Sequence, residues 1–185
     1  MPSPVAHSLV AYGVHCRLRE PQHKGARLFV LLALVLVSSL PDVDFLVGWV
    51  AGDVNLYHHQ VTHSIGFCLP TAGILAVTTN RAWRIGVGRW AVVHGVLLGM
   101  HLLLDALTAD TRAPYGQPLF WPLWGGYVQF PFTLFLDVRR AGARTEFFQS
   151  LLSAHNLKAV AWEILLLGPL MALAGRWRKS LKAEK

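Results

Sequence analysis

The sequence predicts an all-α protein, an integral-membrane bundle of about five helices with an aromatic-rich loop at the bilayer interface. Of the 185 residues, 54% are hydrophobic and only 15% are charged, whereas about a quarter of the residues of a soluble domain are charged. The mean hydropathy is +0.41. The apolar residues are gathered into segments whose lengths approach the roughly 20 residues that cross a bilayer as a helix.

Five apolar segments supply the expected helices. Four of them are strongly apolar, and the first is shorter and weaker. Their residue ranges are 5–16, 28–50, 64–79, 90–107 and 159–175. A chain of this length normally forms one domain, so residues 1–185 are expected to form a single membrane-embedded domain.

The basic residues predict how the helices are oriented. They form three clusters between alternate apolar segments, at 17–27, 81–89 and 176–185. By the positive-inside rule these clusters are cytoplasmic, so residues 42–63 and 108–158 are expected on the outer side. The long outer segment also carries Arg112, Arg139, Arg140, Arg144 and Lys158, but long loops count for less in this rule. A single basic stripe with interleaved aromatic residues is missing, which argues against a nucleic-acid partner.

Three short motifs place histidines and aspartates beside or inside the apolar segments. "HHQVTHS" (58–64) precedes a helix, "SLPDVDF" (39–45) carries two aspartates, and "HLLLD" (101–105) places His and Asp on one helical face. An Asp at the bilayer centre costs about 2.5–3.5 kcal/mol unless it is compensated. Structural alternatives remain open for each motif: an exposed loop, a helix cap at the interface, and a packed His–Asp hydrogen bond.

The predicted topology brings these side chains to one face of the bundle. The first two segments form a hairpin, so His7 meets Asp42 at its outer end. The candidate metal ligands are His7, Asp42, Asp44, His58, His59, His63, His101 and Asp105. Imidazole and carboxylate donors without thiolate suit Zn(II), Mn(II) or Fe(II). Eight candidates exceed the four ligands of one tetrahedral zinc, which favours a two-metal centre. His94 lies about 10 Å deeper on the same helix face and is expected to pack rather than bind. His15, His23 and His155 lie apart from the candidates and are expected at the surface.

At these motifs the chain resembles a known family. "AHSLVAYG", "SLPDVDF", "HHQVTHS" and "HLLLDALT", followed by "YGQPLFWPL", are similar to the inner-membrane-associated metal-dependent hydrolases, also named LexA-binding. The resemblance covers nearly the whole chain. It implies a hydrolase domain over residues 1–185 in a multi-pass protein of the bacterial inner membrane.

The order His, Asp, His and then H-x-x-x-D is also similar to zinc-dependent phospholipase C, an all-helical trinuclear zinc fold. The chain departs from that pattern because it lacks a downstream H-x-x-x-E. His155 and Glu163, which are eight residues apart, do not supply it. The resemblance therefore carries over neither a third zinc nor a substrate.

Together these features predict a membrane-bound hydrolase that cleaves phosphoester bonds in lipid-like substrates, with its site on the outer face. Its cofactor is expected to be a divalent metal, zinc before manganese or iron, as one or two ions that activate water. We expect Asp105 to bridge metals or to share one with His101. The expected catalytic groups are Asp42, Asp44 and His59, with the two aspartates divided between ligand and general base.

Two other classes of function use the same residues differently. One is a non-catalytic metal-binding or transport protein of the membrane, and the other is a regulatory interaction protein. A transporter is expected to continue its polar residues through the membrane, and the apolar segments offer almost none beyond His94. The chain has no G-x-S-x-G and no P-loop signature, so serine-hydrolase and nucleotide-driven mechanisms have no support.

Residues 113–132, "APYGQPLFWPLWGGYVQFPF", follow the His101/Asp105 helix directly. Their density of Pro, Gly and aromatic residues disfavours helix and favours a loop at the bilayer interface. Two interpretations remain: a cap that guides a lipid-like substrate to the metals, or an aromatic belt that only anchors the fold.

Overall fold

The computed structural model describes residues 1–18 and 24–183, with side chains for 1–18 and 25–176. These residues form seven α-helices and no β-strand. The helices are α1 Pro4–Arg17, α2 Lys24–Ser38, α3 Asp44–Ala51, α4 Ile65–Ala82, α5 Val87–Ala106, α6 Arg144–Leu151 and α7 Ala154–Ala183. The all-α class is thus confirmed. The count of about five helices is not, because the second apolar segment is divided into α2 and α3 and because α6 was not foreseen.

The division between α2 and α3 lies at Pro41. Residues Leu40–Val43 form one turn of 3-10 helix, and the two helices meet at 67°. Proline has no backbone N–H to donate and disfavours helical backbone in the residue before it. The bend places Asp42 within the turn and Asp44 in the first turn of α3. The aspartates therefore lie at a helix break rather than inside a straight span.

Helix α1 lies against α2, α5 and α7. The side chain of Ser3 caps α1 by accepting a hydrogen bond from the Val5 backbone, and Pro4 occupies the first turn. The Ser3 backbone N–H also donates to Glu163 Oε1 of α7 at 2.7 Å. Further along, a Cβ on Gly13 would lie 2.3 Å from the sulfur of Met171. The two helices therefore approach closely, as membrane helices with small residues do.

Helices α4 and α5 pack as an antiparallel pair. The Ser64 side chain caps α4 by accepting from the Phe67 backbone. On α5, Leu97 and Leu98 are fully buried and fill the core between the helices. By length and composition, α5 and residues Ala154–Arg176 of α7 are each apolar enough to cross a membrane, and α2 with α3 makes a third candidate span if the bent pair counts as one.

The long connection between α5 and α6 has no helix and closes one end of the bundle. It is tied to α4 by hydrogen bonds from Ile65 N to Leu119 O and from Gly66 N to Trp121 O. A Cβ at Gly66 would lie 2.2 Å from the Trp121 carbonyl oxygen, so only glycine allows this approach. The non-helical character predicted for 113–132 agrees with the structure. Several of its large apolar side chains are exposed, and Leu123 is 94% exposed.

Candidate metal centre

The eight side chains named from the sequence lie together at the end of the bundle that the long connection covers. They come from five places: the first turns of α1, the bend before α3, the start of α3, the connection from α3 to α4, and the last turns of α5. His7, His63 and His101 are completely buried. Overlapping groups of three among the eight have donor atoms within 4.8 Å of one another.

Three donor atoms have the spacing of ligands in a tetrahedral metal site, and a carboxylate oxygen of Asp42 approaches two of them. His63 Nε2, His101 Nε2 and Asp105 Oδ2 are each 3.3 Å from the other two. Asp42 Oδ1 lies 3.5 Å from His63 Nε2 and 3.8 Å from His101 Nε2. Ligands bound to zinc at roughly 2.0–2.1 Å in a tetrahedron are about 3.4 Å apart. The arrangement therefore fits a divalent ion without rearrangement of the backbone.

The same region holds buried polar atoms that have no hydrogen-bond partner within the described residues. They include Asp42 Oδ1, both carboxylate oxygens of Asp105, both ring nitrogens of His7, and Nε2 of His58 and His59. A buried polar atom without a partner costs about 1–3 kcal/mol, and more if it is charged. A cation at the centre would satisfy carboxylate oxygens and imidazole lone pairs together.

The far sides of two of the central histidines are fixed by oxygen atoms. His101 Nδ1 donates to the Ser38 carbonyl at 2.8 Å, and Ser38 Oγ donates to the His7 carbonyl at 3.0 Å. His63 Nδ1 lies 3.2 Å from Asp44 Oδ2. Both rings therefore turn Nε2 toward the centre. Metal-binding histidines in proteins are commonly oriented by such a carbonyl or carboxylate.

Asp44 contacts two histidines and a threonine. Its Oδ1 is 3.2 Å from His58 Nδ1, and its Oδ2 accepts a hydrogen bond from Thr62 Oγ1 at 3.0 Å in addition to the contact with His63. Each oxygen of Asp44 therefore contacts an Nδ1 atom, Oδ1 that of His58 and Oδ2 that of His63. Asp42, by contrast, directs Oδ1 toward Nε2 of His63 and His101.

Asp105 presents its two oxygens to different histidines. Oδ1 lies 3.9 Å from His7 Nε2, and Oδ2 lies 3.8 Å from His59 Nε2 as well as close to His63 and His101. The His7 ring stacks on His101 with centroids 4.1 Å apart. A carboxylate with imidazoles near both oxygens could serve as a metal ligand through either of them.

The connection from α3 to α4 is strained at His59, whose φ of 59° lies in the left-handed region. For a residue other than glycine this conformation costs free energy and is concentrated at functional sites. His59 Nδ1 faces Asp110 Oδ2 at 3.8 Å. Sequence reasoning missed Asp110. It lies just beyond α5, where helical periodicity no longer indicates which way a side chain points.

Ring protonation differs among the histidines of this connection. Burial, reinforced by the neighbouring His59 and His63, holds the pKa of His58 well below its usual range. Burial also lowers the pKa of His59, against an opposing contact with Asp110. Neutral imidazole is the form that binds metal, and both side chains favour it.

The pKa of His63 moves the other way. Burial alone would lower it, but Asp105, Asp42 and Asp44 outweigh burial and raise it well above its usual range. In the metal-free protein these carboxylates thus favour a positive charge at His63. A bound cation would supply that charge and displace the proton.

The remaining histidines lie outside this group. His94 is buried, with Nε2 3.0 Å from Thr79 Oγ1 and its ring stacked on Trp90. His15 was expected at the surface but is buried, because the last turns of α1 lie within the bundle. His155, also expected at the surface, is partly buried and its Nε2 is 2.9 Å from the Asp137 carbonyl. His23 lies outside the described residues.

A cleft of about 300 Å³ opens beside the histidines. His58, His59 and Asp110 line one part of it, and Arg112 and Arg140 line another. Arg140 is buried, with only 9% of its surface exposed. No local pattern in an irregular connection distinguishes a buried arginine from an exposed one.

Comparison with known proteins places the chain in a membrane-protein family. A family model described as YdjM inner membrane protein matches residues 1–180. Neither a curated protein nor a solved structure gives a significant match. The predicted association with the inner membrane is confirmed at the level of the family, whereas the hydrolase and phospholipase C parts of the resemblance stay predictions. The match extends over nearly the whole sequence, and the chain belongs to the YdjM inner membrane protein family.

Proposed function

We propose that this protein is a membrane-embedded, metal-dependent hydrolase that cleaves phosphoester bonds of lipid-like substrates. The observation that carries the proposal is the tetrahedral spacing of three buried donors, from His63, His101 and Asp105, with Asp42 Oδ1 3.5 Å and 3.8 Å from the two imidazoles. Zinc fits the donor set best, as one or two ions. When bound, such an ion lowers the pKa of water toward neutrality and stabilises the charge that develops on the oxygens of an in-line displacement.

The residues divide into binding and orienting roles in this proposal. Those four donors would hold one ion. Asp105 would offer its second oxygen, Oδ1, to another ion near His7, whose Nε2 lies 3.9 Å from that oxygen. Asp44 would orient His58 and His63, because both of its oxygens already face their Nδ1 atoms.

Proton transfer is assigned to His59. It lines the cleft, its Nε2 faces Asp105, and its Nδ1 faces Asp110. The strained backbone fixes the ring between the cleft and the buried donors. A neutral imidazole there would accept a proton at Nε2 from the attacking water and return it to the oxygen of the leaving group. With Asp44 engaged on both oxygens and Asp42 facing the centre, His59 is the group best placed for this role.

A lipid-like substrate is supported by the surface around the site. The connection that covers the centre exposes Leu123, Trp124 and Phe132, and α6 exposes Phe148. Aromatic residues of this kind favour the membrane–water interface. A substrate anchored in the bilayer would present its headgroup at the level of the cleft, and only the headgroup would need to enter.

A transport function is less well supported by the packing. Passing from the centre toward the other end of α5, the completely buried Leu97 and Leu98 come before His94. His94 itself is engaged with Thr79 and Trp90. Within the described residues, a packed apolar layer therefore separates the two polar regions of α5, and an ion would have no polar path between them.

The proposal is tested by measuring metal and turnover on the same sample. The full chain would be purified in detergent without chelators, analysed by elemental mass spectrometry, and assayed on a panel of phospholipids and soluble phosphoesters. One or two zinc ions per chain with turnover of a lipid phosphoester are expected. A stoichiometry near zero in the wild type would overturn the metal centre, and bound metal without turnover of any substrate would favour a non-catalytic metal-binding protein.

The location of the site on the outer face of a multi-pass protein is also proposed, from the distribution of basic residues. Single cysteines at Asp53 and Arg84, in a background lacking Cys16 and Cys68, test it. Both positions are exposed in the structure and both native cysteines are buried. In intact cells an impermeant thiol reagent should label the Asp53 position and not the Arg84 position. Labelling at Arg84 alone would invert the orientation.

A further inference from the structure

Arg140 is an unusual residue in the cleft because its guanidinium is buried without a carboxylate partner. Its Nε donates to Asn55 Oδ1 at 2.7 Å, and its Nη1 donates to the Val138 carbonyl at 3.4 Å. The guanidinium carbon lies 4.6 Å from the centre of the Phe45 ring. Among the described residues no carboxylate oxygen lies within ion-pairing distance of Arg140. A buried cation is costly unless an anion accompanies it, so this position is suited to an anionic ligand.

A second guanidinium lies in the same cleft. Arg112 is exposed, lines the cavity with Arg140, and donates from Nη2 to the Arg140 backbone carbonyl. Burial, with a smaller contribution from Arg112, lowers the pKa of Arg140 to about 10. Arg140 therefore remains protonated at neutral pH. Two positive charges converge here although no residue in the described part of the chain forms an ion pair with Arg140.

The acidic residues of the cleft do not neutralise Arg140, because each is engaged elsewhere. Asp53 accepts a hydrogen bond from Asn55, Asp110 accepts from Arg112 and Gly116, and Asp137 accepts from Thr111 and His155. The donors to Asp53 and Asp110 are backbone N–H groups of nearby residues, and those to Asp137 are side chains. Hydrogen bonds to the ionised form favour it, so these carboxylates are satisfied without Arg140.

Arg140 is also connected to the histidines by stacking. The Phe45 ring lies under the Arg140 guanidinium and stacks on His58, with centroids 4.2 Å apart and an interplanar angle of 16°. Arg140 and His58 are therefore separated by a single aromatic ring, and both face the same cleft. A headgroup bound in the cleft would reach from Arg140 to His58.

We propose that Arg140, assisted by Arg112, is the phosphate-binding subsite of this protein. The substrate class is a phosphate-bearing headgroup, with its phosphate on the Arg140 guanidinium and its reacting bond directed toward His58 and His59. A guanidinium suits this role because its planar donors match phosphate oxygens in pairs. A cavity of about 300 Å³ admits a small headgroup and leaves acyl chains in the bilayer. This inference rests on the proposed function, since it assigns the substrate group that the same site would take.

The first test measures binding of inorganic phosphate to the purified full chain by calorimetry. Arg140→Gln should weaken phosphate binding about tenfold, and Arg140→Lys about threefold because it keeps the charge and loses the paired donors. Arg139→Gln is the matched control, since the Arg139 side chain is 66% exposed and lies outside this cleft. It should bind phosphate like the wild type. Phosphate affinity unchanged in Arg140→Gln would overturn the subsite.

Folding and metal content are measured on the same samples. Arg140→Gln also loses hydrogen bonds to Asn55 and Val138, so its thermal melt is compared with that of the wild type. If this variant does not fold, Arg140→Lys and the exposed Arg112→Gln provide the test, and unchanged phosphate affinity in both would overturn the subsite. Metal content should be the same in all variants. Absence of metal or turnover in the wild type would refute the proposed function, whereas normal metal and turnover with unaltered phosphate binding in Arg140→Gln would refute the subsite alone.

The source of the phosphate is identified by competition. If the ligand is a lipid headgroup, inorganic phosphate should inhibit hydrolysis of a short-chain phosphatidic acid in micelles. If the ligand is a free phosphoester, inorganic phosphate should inhibit hydrolysis of glycerol 3-phosphate. In either case Arg140→Gln should raise KM for the inhibited substrate more than it lowers kcat. Failure of phosphate to compete with both substrates would contradict the inference.

Discussion

Helix α5 carries two buried histidines seven residues apart, and their surroundings differ. His101 is completely buried, donates from Nδ1 to Ser38, and turns Nε2 toward His63 and Asp105 at 3.3 Å each. His94 is 2% exposed, has one hydrogen-bond contact with Thr79, and stacks on Trp90. Burial of a histidine therefore does not by itself indicate a ligand. The distinguishing feature is that carboxylates and imidazoles from other elements converge on the free nitrogen.

The cause of this difference is the backbone around each position. Beside His94, α4 and α5 run as continuous helices and place Thr79 and Trp90 against its ring. Beside His101, the bend at Pro41 and the connection before α4 bring in Asp42 and His63. Breaks in helices thus place polar groups where a straight helix would present apolar ones.

The largest effect is expected from Asp105→Asn, which removes an anion that faces four histidines. Metal content and turnover should fall by about two orders of magnitude, because a neutral amide is a poor ligand and cannot bridge ions. Elemental analysis and a hydrolysis assay on the purified variant check this, beside its thermal melt. Glu146→Gln, at an exposed carboxylate of α6, is the control. Retained metal and turnover in Asp105→Asn would return "HLLLD" to the packing explanation.

The comparison within α5 is tested directly by matched substitutions. His101→Asn should weaken zinc binding about a hundredfold, since one of four ligands is lost. His94→Asn should keep zinc affinity and lower stability by about 1 kcal/mol through the lost contact with Thr79. Zinc competition titrations and thermal melts of both variants separate the two roles. Similar zinc affinities in the two variants would show that the histidines do not differ as the packing indicates.

A smaller effect is expected from Asp44→Asn. This substitution leaves the central donors in place but weakens the contacts that orient the His58 and His63 rings. Loss of such an orienting carboxylate should lower metal affinity about tenfold. The same zinc titration measures this loss of affinity. Thr62→Val is titrated beside Asp44→Asn, because it removes only the hydroxyl that donates to Asp44 Oδ2. A loss as large as that of Asp105→Asn would instead indicate that Asp44 binds metal directly.

The smallest effect concerns Asp137 and His155, a His–Asp pair outside the centre. Burial alone would raise the pKa of Asp137, but hydrogen bonds from Thr111 and His155 outweigh burial and lower it. A depressed carboxyl pKa stabilises the fold above the ordinary value and loses that contribution as pH falls through the folded pKa. Thermal melts between about pH 5 and pH 3 should therefore decline less steeply in Asp137→Asn than in the wild type.

Metal content should not change in Asp137→Asn, because the pair lies apart from the eight donors. Glu146→Gln, at an exposed carboxylate of α6, is the control for a general charge effect. A loss of metal in Asp137→Asn would show that the metal centre includes more than the eight donors. If the melting temperature of Asp137→Asn depended on acid pH as that of the wild type does, the pair would add no pH-dependent stability.

Much of the centre was predictable because its parts are local in sequence. An i, i+4 spacing places His101 and Asp105 on one helical face wherever the helix packs. Three histidines before an apolar segment and two aspartates beside Pro41 are visible without a structure. Asp110 and Arg140 were not predictable, since the residues that they face across the site lie in α3 and in the connection after it, and no periodicity relates them.

The sequence by itself determined the helical class, the membrane setting and the chemical types of the donors. Each depends on composition or on spacings of a few residues, and helical geometry converts these into a face. Only the tertiary structure decided which nitrogen of each ring faces the centre, that Asp44 contacts the Nδ1 sides while Asp42 faces Nε2, and that Arg140 is buried beside His58. These features depend on how separate helices and connections pack, and packing is settled by the whole chain rather than by any one segment.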